Sequence, residues 1–269
     1  MLTPNIITFS LRNRAILAFA SAISMAGFMW PFFYSGKENE LPKTQLFFWF
    51  AIALSALLVL AEISSSSMDA KSIALLGVLA ALIAALRPLG AGVAGIEPMW
   101  FVLILSARVF GASFGFILGL LSMFVSALIT GGFGPWLGYQ VFAAAWIGLA
   151  AGALPQKIGK WNLRGRSEIV LLVGASIVSA LAFGVLMDLS IWPWALGMQT
   201  QLSFISGGAL GENISRFIYF HFASAMAWDI PRAIFTSILV ILTAPAVLTA
   251  LRRTKVRAAF LTPIEFVTK

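Results

Sequence analysis

The sequence has no cysteine and little charge, and each absence excludes a set of functions. Only 10% of its 269 residues are charged, while 60% are hydrophobic. A soluble domain usually carries about 25% charged residues, so this composition excludes an ordinary soluble core. Without cysteine, the chain has no disulfide, no thiolate nucleophile and no cysteine-ligated metal site.

Catalytic and nucleotide-binding motifs are also missing. The sequence contains no HExxH, GxSxG, Walker A or paired-carboxylate motif, and its one histidine, His221, lies in an aromatic stretch that favours a structural role. We therefore expect no catalytic residue, no metal and no cofactor, and any ATP use has to come from a partner. The net charge of +8 lies mostly at the ends of apolar segments, so it indicates membrane topology rather than nucleic-acid binding.

Long apolar runs recur along the whole chain. A helix that crosses a hydrocarbon core of about 30 Å needs roughly 20 apolar residues. The sequence therefore predicts an all-α integral membrane protein. The first run is too long for the core of a signal peptide, so we expect it to be retained as a helix. We predict about eight transmembrane helices, near residues 14–34, 45–63, 72–87, 97–110, 112–130, 138–154, 168–187 and 230–251.

Lysine and arginine predict the orientation of these helices. The basic residues near 12–14, at 71, at 108, in 157–166 and in 252–257 all fall on one side of an eight-helix arrangement. The positive-inside rule makes that side the cytoplasm, so both termini are predicted to be cytoplasmic. The loops 35–44, 88–97, 131–137 and 188–229 then face outward. A loop as long as the last one is usually functional, and part of it, near 213–227, is predicted to form a helix in or on the membrane.

The chain divides into two parts of different character. Residues 1–70 form a plain two-helix hairpin that ends in a serine-rich linker, Ser64–Ser67. Residues 71–269 form a six-helix unit that is rich in glycine, tryptophan and intramembrane polar residues. We predict a module boundary near residue 70.

Small residues at four-residue spacing give the third segment a smooth surface. Ala80 pairs with Ala84, and Ala81 with Ala85. Such a surface lets another helix approach closely, either within the same bundle or in a partner membrane subunit, and both interpretations remain open. Similar surfaces occur at Gly111, Gly115 and Gly119, and at Gly148 and Gly152.

Polar and aromatic residues at the predicted outer ends are the candidates for ligand binding. Asp229 and Arg232 either cap and pair at the start of the last helix, with Asp229 as N-cap, or face a ligand cavity. Arg87 and Glu97 either pair across the loop between them or stay solvated. Two aromatic clusters could form the walls of a site for a flat or bulky organic ligand. The full candidate set is Arg87, Glu97, Phe133, Trp136, Tyr139, Gln140, Trp192, Trp194, Asn213, Trp228, Asp229 and Arg232.

Several stretches of residues 71–269 resemble the substrate-binding (S) components of energy-coupling factor (ECF) vitamin transporters. They include the alanine-rich helix that leads into Arg87-Pro88, Ser106–Gly111, Thr130–Trp136 before Tyr139-Gln140, Ala145–Gly148, and Trp228-Asp229 before Arg232-Ala233. The resemblance covers about three-quarters of the chain. The chain most resembles actinobacterial-type members of this family, several of which are associated with cobalamin or related compounds.

The resemblance implies a six-helix bundle in the bacterial cell membrane that is not an enzyme. It implies high-affinity binding of a micronutrient from outside, followed by docking to a membrane coupling subunit and two ATP-binding subunits, with toppling in the bilayer to release the ligand. The family's docking surface corresponds to Ala80, Ala81, Ala84 and Ala85. The N-terminal hairpin departs from this pattern, because two further helices would have to move or stay behind.

Two rival functions remain from the residues alone. One is a membrane enzyme or secondary carrier for a lipid or another hydrophobic compound, which would need convergent acid and base groups. The candidates for those groups, Glu97, Asp188, Glu212 and Asp229, are scattered in the sequence. The other is a scaffold protein, which the aromatic outer surface disfavours.

Overall fold

The computed structural model describes residues 10–36, 45–64, 70–90, 95–196 and 200–257. Within these ranges the chain is almost entirely helical, with one short β-hairpin. Single 3₁₀ turns, Trp30–Phe32 and Arg87–Gly90, extend the first and third helices. The elements are α1 (Leu11–Met29), α2 (Gln45–Ser64), α3 (Ala70–Leu86), α4 (Met99–Phe110), α5 (Ala112–Thr130), α6 (Leu137–Ala153), β1 (Lys157–Ile158), β2 (Trp161–Asn162), α7 (Arg166–Ala195), α8 (Leu210–Ser224) and α9 (Met226–Arg257).

Eight of these helices coincide with the eight predicted segments. Five spans are long and apolar enough to cross a membrane, namely Leu11–Phe32, Ala70–Gly90, Ala112–Thr130, Arg166–Ala195 and Met226–Val256. Three shorter apolar helices, Leu46–Leu57, Met99–Phe110 and Leu137–Ala153, complete the set. The prediction of an all-α integral membrane bundle is therefore confirmed. Below, the "outer end" is the end predicted to face outside, and the "inner end" is the opposite one.

Helix α4 lies at the centre of the bundle. All of its residues except Phe101 are buried, although it is only 12 residues long. Helices α5 and α6 pack beside it at very close range, because a Cβ at Gly115 would run into the carbonyl of Gly148, and the reverse is also true. Gly119 meets the backbone of Ala144 in the same way. Two of the predicted small-residue surfaces thus pack against each other.

The N-terminal hairpin packs on α6 through aromatic side chains. The ring centroids of Phe48 and Tyr139 are 3.9 Å apart, and those of Phe28 and Tyr139 are 5.0 Å apart. The indole Nε1 of Trp146 donates a hydrogen bond to the hydroxyl of Ser21 at 3.1 Å. One continuous hydrophobic core therefore includes both the hairpin and the following helices.

The prediction of one long outer loop at 188–229 is wrong, because most of this segment is helical. Helix α7 continues through Pro193 to Ala195, and residues 210–224 form the separate helix α8. The predicted loop included Trp192-Pro193-Trp194, but the helix continues through Pro193, because a proline removes only one hydrogen bond to the turn before it. The predicted helix near 213–227 is present as α8, which starts three residues earlier.

The predicted start of the last helix, near residue 230, also needs correction. Helix α9 begins at Met226, so Asp229 lies in its first turn and is not the N-cap. Only Ala225 separates α8 from α9, and its N–H already bonds back to the carbonyl of His221. The serine-rich linker after Ser64 and most of the outer loop 35–44 lie outside the described residues.

A buried ionic cluster joins three helices at the inner end. The Nε of Arg108 donates to Glu168 Oε1 at 2.8 Å, and Arg252 donates to both carboxylate oxygens at 2.6 and 2.8 Å. Arg108 also donates to the carbonyls of Leu154 and Pro155. Arg108 and Glu168 are almost completely buried, at 0% and 1% side-chain exposure. This arrangement fixes the inner ends of α4, α7 and α9 together.

Candidate ligand-binding site

A cavity of about 270 Å³ opens at the outer end, between the residues that follow α3, the end of α5 and the start of α9. Its walls come from predicted outer loops and the helix ends next to them. Two charged side chains of opposite sign, Arg87 and Glu97, face it. The lining residues are Arg87, Pro88, Gly90, Gly95, Glu97, Ser126, Thr130, Gly132, Trp136 and Trp228.

Arg87 is a cation that has only neutral hydrogen-bond partners. It donates from Nη2 to Gln140 Oε1 at 2.7 Å and from Nη1 to the Ser126 hydroxyl at 3.3 Å. A guanidinium carries five N–H groups, so three are left over. Within the described part of the chain no other acceptor bonds to them. The bond to Gln140 holds the guanidinium at the wall of the cavity.

Glu97 stands at the end of an ionic chain that leads into the bundle. Its Oε2 accepts from Trp100 Nε1 at 2.6 Å and from Arg232 Nε at 3.0 Å. Arg232 donates in turn to Asp229 Oδ1 at 2.7 Å and stacks over the ring of Phe183, with its Cζ 4.9 Å from the ring centroid. The side chain of Glu97 is 27% exposed, and its Oε1 accepts no hydrogen bond from the described residues.

Gly95 explains why Glu97 can approach α9 so closely. It has a φ of +69°, which glycine adopts without strain. A Cβ at this position would run into the carbonyl of Trp228 and would lie 2.7 Å from the backbone nitrogen of Arg232. The loop backbone therefore rests directly on the start of α9, and this contact brings Glu97 to Arg232.

A second space, a cleft of about 450 Å³, lies on the other side of Trp136. Trp136 is half-exposed and forms part of both walls, so the two spaces are neighbours. The cleft is mainly apolar and runs between α6 and α7. It is lined by Pro135, Trp136, Tyr139, Ser190, Ile191, Trp194 and Ala195.

The N-terminal hairpin supports this cleft from behind. Trp30 packs on Trp194 with ring centroids 5.6 Å apart, and Tyr139 rests on Phe28 and Phe48. The carbonyl of Tyr34 accepts a hydrogen bond at 3.3 Å from the N–H of Gly207, in the segment before α8. The hairpin thus holds both a wall of the cleft and the connection that follows α7.

Most of the sequence-predicted residues gather at these two spaces. Asp229 and Arg232 form the predicted pair and lie behind Glu97. Arg87 and Glu97 form no direct pair, since Arg87 bonds to Gln140 and Glu97 to Arg232. The residues that line the cavity, the cleft or the ionic chain are Arg87, Glu97, Trp136, Tyr139, Gln140, Trp194, Trp228, Asp229 and Arg232.

Three predicted residues have other roles. Trp192 is fully buried and donates from Nε1 to the carbonyl of Leu202 at 2.8 Å. Asn213 is buried and binds both backbone polar groups of Ile205 through its side-chain amide. Phe133 is exposed beside the cavity and packs edge-on against Phe124. Trp192 and Asn213 therefore hold the segment between α7 and α8 in place and line neither of the two spaces.

Sequence reasoning missed Ser126 and Thr130 in the cavity wall. They lie four residues apart, one turn of a helix, at the outer end of α5. That polar spacing in an otherwise apolar helix was a usable signal. The glycines and prolines of the wall gave none, because their contribution is made by the backbone.

The alanine surface of α3 needs a revision. Ala80 and Ala84 are buried in the chain's own bundle, at 2% and 0% exposure. Ala81 and Ala85 are exposed, and a Cβ at Gly77 would meet nothing within 4 Å. Of the two predicted rows, Ala80 and Ala84 pack inside the bundle, whereas Ala81 and Ala85 lie on its surface.

The cavity can bind a ligand that offers hydrogen-bond acceptors to Arg87 and a donor to Glu97. The cleft can hold an apolar ring against Trp136, Tyr139 and Trp194. Among the residues that the structure describes, no three histidine, aspartate or glutamate side chains converge to hold a metal ion.

Comparison with known proteins gives a match to one family model. Residues 67–195 match the family model described as "ECF-type riboflavin transporter, S component". Neither the curated proteins nor the solved structures give a significant match. Within the matched segment, the chain is similar to an S component, the membrane-embedded substrate-binding subunit of an ECF transporter. With its apolar helices, it is a multi-pass protein of the cell membrane, and the matched family is one of transporter components.

Proposed function

We propose that this protein binds a vitamin of the flavin class in the outer cavity and passes it to an ATP-driven ECF complex. The observation that carries this proposal is that one cavity has both N–H donors of Arg87 and an acceptor oxygen of Glu97 that are unused among the described residues. The pyrimidine-dione edge of a flavin presents two carbonyl acceptors and an N–H donor, which complements this pair. The family description, which names riboflavin, supports the same ligand class.

The size of the site favours a flavin over a corrinoid. Ligand pockets commonly measure about 300–1,000 Å³. The cavity and the cleft measure about 270 and about 450 Å³. A tricyclic ring can lie along Trp136 while its polar edge reaches Arg87. A corrin ring with its side chains is much bulkier, so cobalamin, the ligand group suggested by the sequence resemblance, fits this site less well.

A direct test is to titrate the purified protein with riboflavin and with cobalamin and to follow flavin or tryptophan fluorescence. We expect saturable riboflavin binding that cobalamin does not displace. Saturable cobalamin binding with no riboflavin binding would overturn the proposed ligand but leave the S-component assignment intact. Lipid bound in place of both would support the rival function of a membrane enzyme or carrier.

We further propose that the exposed row on α3 docks to the membrane coupling subunit. The row comprises Gly77, Ala81 and Ala85 and extends along one face of the helix for two turns. Small residues let two helices approach closely, and here they have no partner among the described residues. The coupling subunit and two ATP-binding subunits are the partners that the family implies.

Tryptophan substitutions at Ala81 and Ala85 test the docking surface. They should abolish ATP-dependent uptake in vesicles that also contain the coupling subunit and the ATPases, while ligand binding stays unchanged. Val178→Trp on α7, at a position that is 67% exposed, is the matched control and should leave uptake intact. Full uptake by the Ala81 and Ala85 variants would contradict the proposal. Ala80→Trp is unsuitable, because that position is buried.

The packing of the N-terminal hairpin supports a role for residues 1–70 as a fixed companion of the six-helix module at 71–269. Hydrogen bonds from Gly207 to Tyr34 and from Ser206 to Gly36 tie the hairpin to the outer end. We expect it to move together with the module during transport.

Because the chain has no native cysteine, a disulfide between Gly36→Cys and Ser206→Cys can test this expectation. The cross-linked protein should transport normally, because the two segments keep their relative position. Transport that stops on oxidation and returns on reduction would show that the hairpin and the module separate. The two single-cysteine variants, oxidised in parallel, are the controls.

A further inference from the structure

The short β-hairpin at the inner end presents a basic and aromatic surface that the transport site does not use. In its register Ile158 lies opposite Trp161, and Lys157 lies opposite Asn162. Gly159, with a φ of +59°, allows the tight turn between the strands. Side chains of paired residues project to the same face of a hairpin, so Ile158 and Trp161 share one face. They are 61% and 81% exposed.

Cations flank this apolar pair along the chain, and the segment that carries them contains no acid. The segment 155–167 contains Lys157, Lys160, Arg164 and Arg166, all exposed, and no aspartate or glutamate. The next acid along the chain, Glu168, is 1% exposed and already pairs with Arg108 and Arg252. Among the described residues, the surface around the hairpin is therefore purely cationic.

The length of α6 places the hairpin at the membrane boundary. Helix α6 has 17 residues, which corresponds to about 25 Å, and it ends three residues before β1. The hydrocarbon core is about 30 Å thick, so the hairpin starts near the headgroup level and not far out in the cytoplasm. Tryptophan is enriched at this level, and lysine and arginine near it are attracted to anionic headgroups.

We propose that the β1–β2 hairpin is an anchor for anionic lipid in the inner leaflet. Ile158 and Trp161 enter the interface, and the surrounding cations bind lipid phosphates. A protein partner is less suited to this surface, because a stable protein interface buries about 800 Å² on each side and the hairpin offers only two apolar side chains. The proposal is independent of the ligand and of the docking surface on α3.

An environment-sensitive fluorophore on a single cysteine tests the anchor, since the chain has no native cysteine. The label is placed at Ile158→Cys, with Asn162→Cys on the opposite face as the matched control. Each labelled protein is reconstituted into vesicles of phosphatidylcholine alone or of phosphatidylcholine with phosphatidylglycerol. Vesicles whose acyl chains are brominated near the headgroup report contact by quenching.

With phosphatidylglycerol present, the label at position 158 should shift to shorter wavelength and be quenched, while the label at 162 should change little. Replacing Lys160 and Arg164 with glutamine should lower the apparent affinity of the hairpin for phosphatidylglycerol by about fivefold for each cation removed. High salt should act in the same direction. The unfolding midpoint of each variant in detergent serves as the folding control, because it does not depend on the identity of the ligand.

Two results would overturn the proposal. One is a label at position 158 that is equally exposed to water in both vesicle types. The other is a label that becomes shielded only when the coupling subunit and the ATPases are added, which would make the hairpin a protein interface.

Discussion

The two ends of α4 carry ionic groups of similar chemistry in different surroundings. At the inner end, Glu168 is held between Arg108 and Arg252 and is 1% exposed. At the outer end, Arg232 is held between Glu97 and Asp229, and the side chain of Glu97 is 27% exposed. Both groups join α4, or the loop before it, to α9. The outer group borders the cavity of about 270 Å³.

The two ends differ in whether their unpaired hydrogen-bonding groups line a described cavity. The inner carboxylate accepts from two arginines on both oxygens. At the outer end, Glu97 Oε1 and three N–H groups of Arg87 have no partner among the described residues. Arg108 Nη2 at the inner end also lacks a partner among the described residues, but it is buried, whereas Arg87 and Glu97 line the cavity and can exchange bonds with a ligand. The comparison therefore assigns stability to the inner end and binding to the outer end.

The largest expected effect is on stability, from Glu168→Gln. Loss of the carboxylate leaves the buried Arg108 without its counter-ion, and breaking a buried ion pair costs about 3–5 kcal/mol. We expect this loss in the free energy of unfolding, measured by denaturant titration in detergent, with ligand affinity retained by the folded fraction. Glu212→Gln is the control, because its pair with Arg216 is exposed and contributes less than about 1 kcal/mol. Equal losses in the free energy of unfolding for Glu168→Gln and Glu212→Gln would contradict the stabilising role of the inner cluster.

The next effect is on affinity, from Arg87→Gln. Hydrogen bonds from a charged donor contribute about 1.5–3 kcal/mol, so ligand affinity should fall by about 10- to 100-fold. Stability should change little, because the partners of Arg87 are neutral and the side chain faces the cavity. Arg216→Gln, at the outer end but away from this cavity, should leave affinity unchanged. If Arg87→Gln binds riboflavin as tightly as the native protein does, the ligand does not bind at Arg87 in this cavity.

The smallest effect is expected from Ser126→Ala. The Ser126 hydroxyl accepts from Arg87 at a long 3.3 Å, so its loss should only loosen the guanidinium. We expect ligand affinity to fall by about two- to fivefold. The control is Ser122→Ala, one turn earlier, whose hydroxyl donates to the carbonyl of Leu118. A larger loss for Ser122→Ala than for Ser126→Ala would place the ligand elsewhere along α5.

The sequence was sufficient to predict the eight membrane helices, because apolar length alone decides which segments can cross a bilayer. It did not locate the end of α7, since a proline is compatible with both a helix end and a helix interior near that end. It also did not locate the start of α9. Both errors fall in the segment 188–229. There the end of α7 packs on the N-terminal hairpin and the start of α9 packs on the loop before α4, and local composition encodes neither contact.

For the site, the sequence predicted which residues lie near the outer end better than it predicted which way their side chains point. Arg87 and Gln140 were both candidates, and they meet in the structure. Trp192 and Trp194 looked equivalent, but each residue on a helix turns by about 100°, so these two side chains point about 160° apart and only Trp194 lines the cleft. The same geometry separates Ala80 from Ala81. Which row faces outward depends on where α5 packs, and no local pattern encodes that.

The most direct test of the central claim is native mass spectrometry, with an absorption spectrum, of the protein purified from a rich medium. The account predicts a flavin-sized ligand at near-stoichiometric occupancy in the native protein and in Glu168→Gln that remains folded, and its loss from Arg87→Gln. A bound lipid or corrinoid, or a flavin retained in full by Arg87→Gln, would contradict the assignment of binding to the outer end.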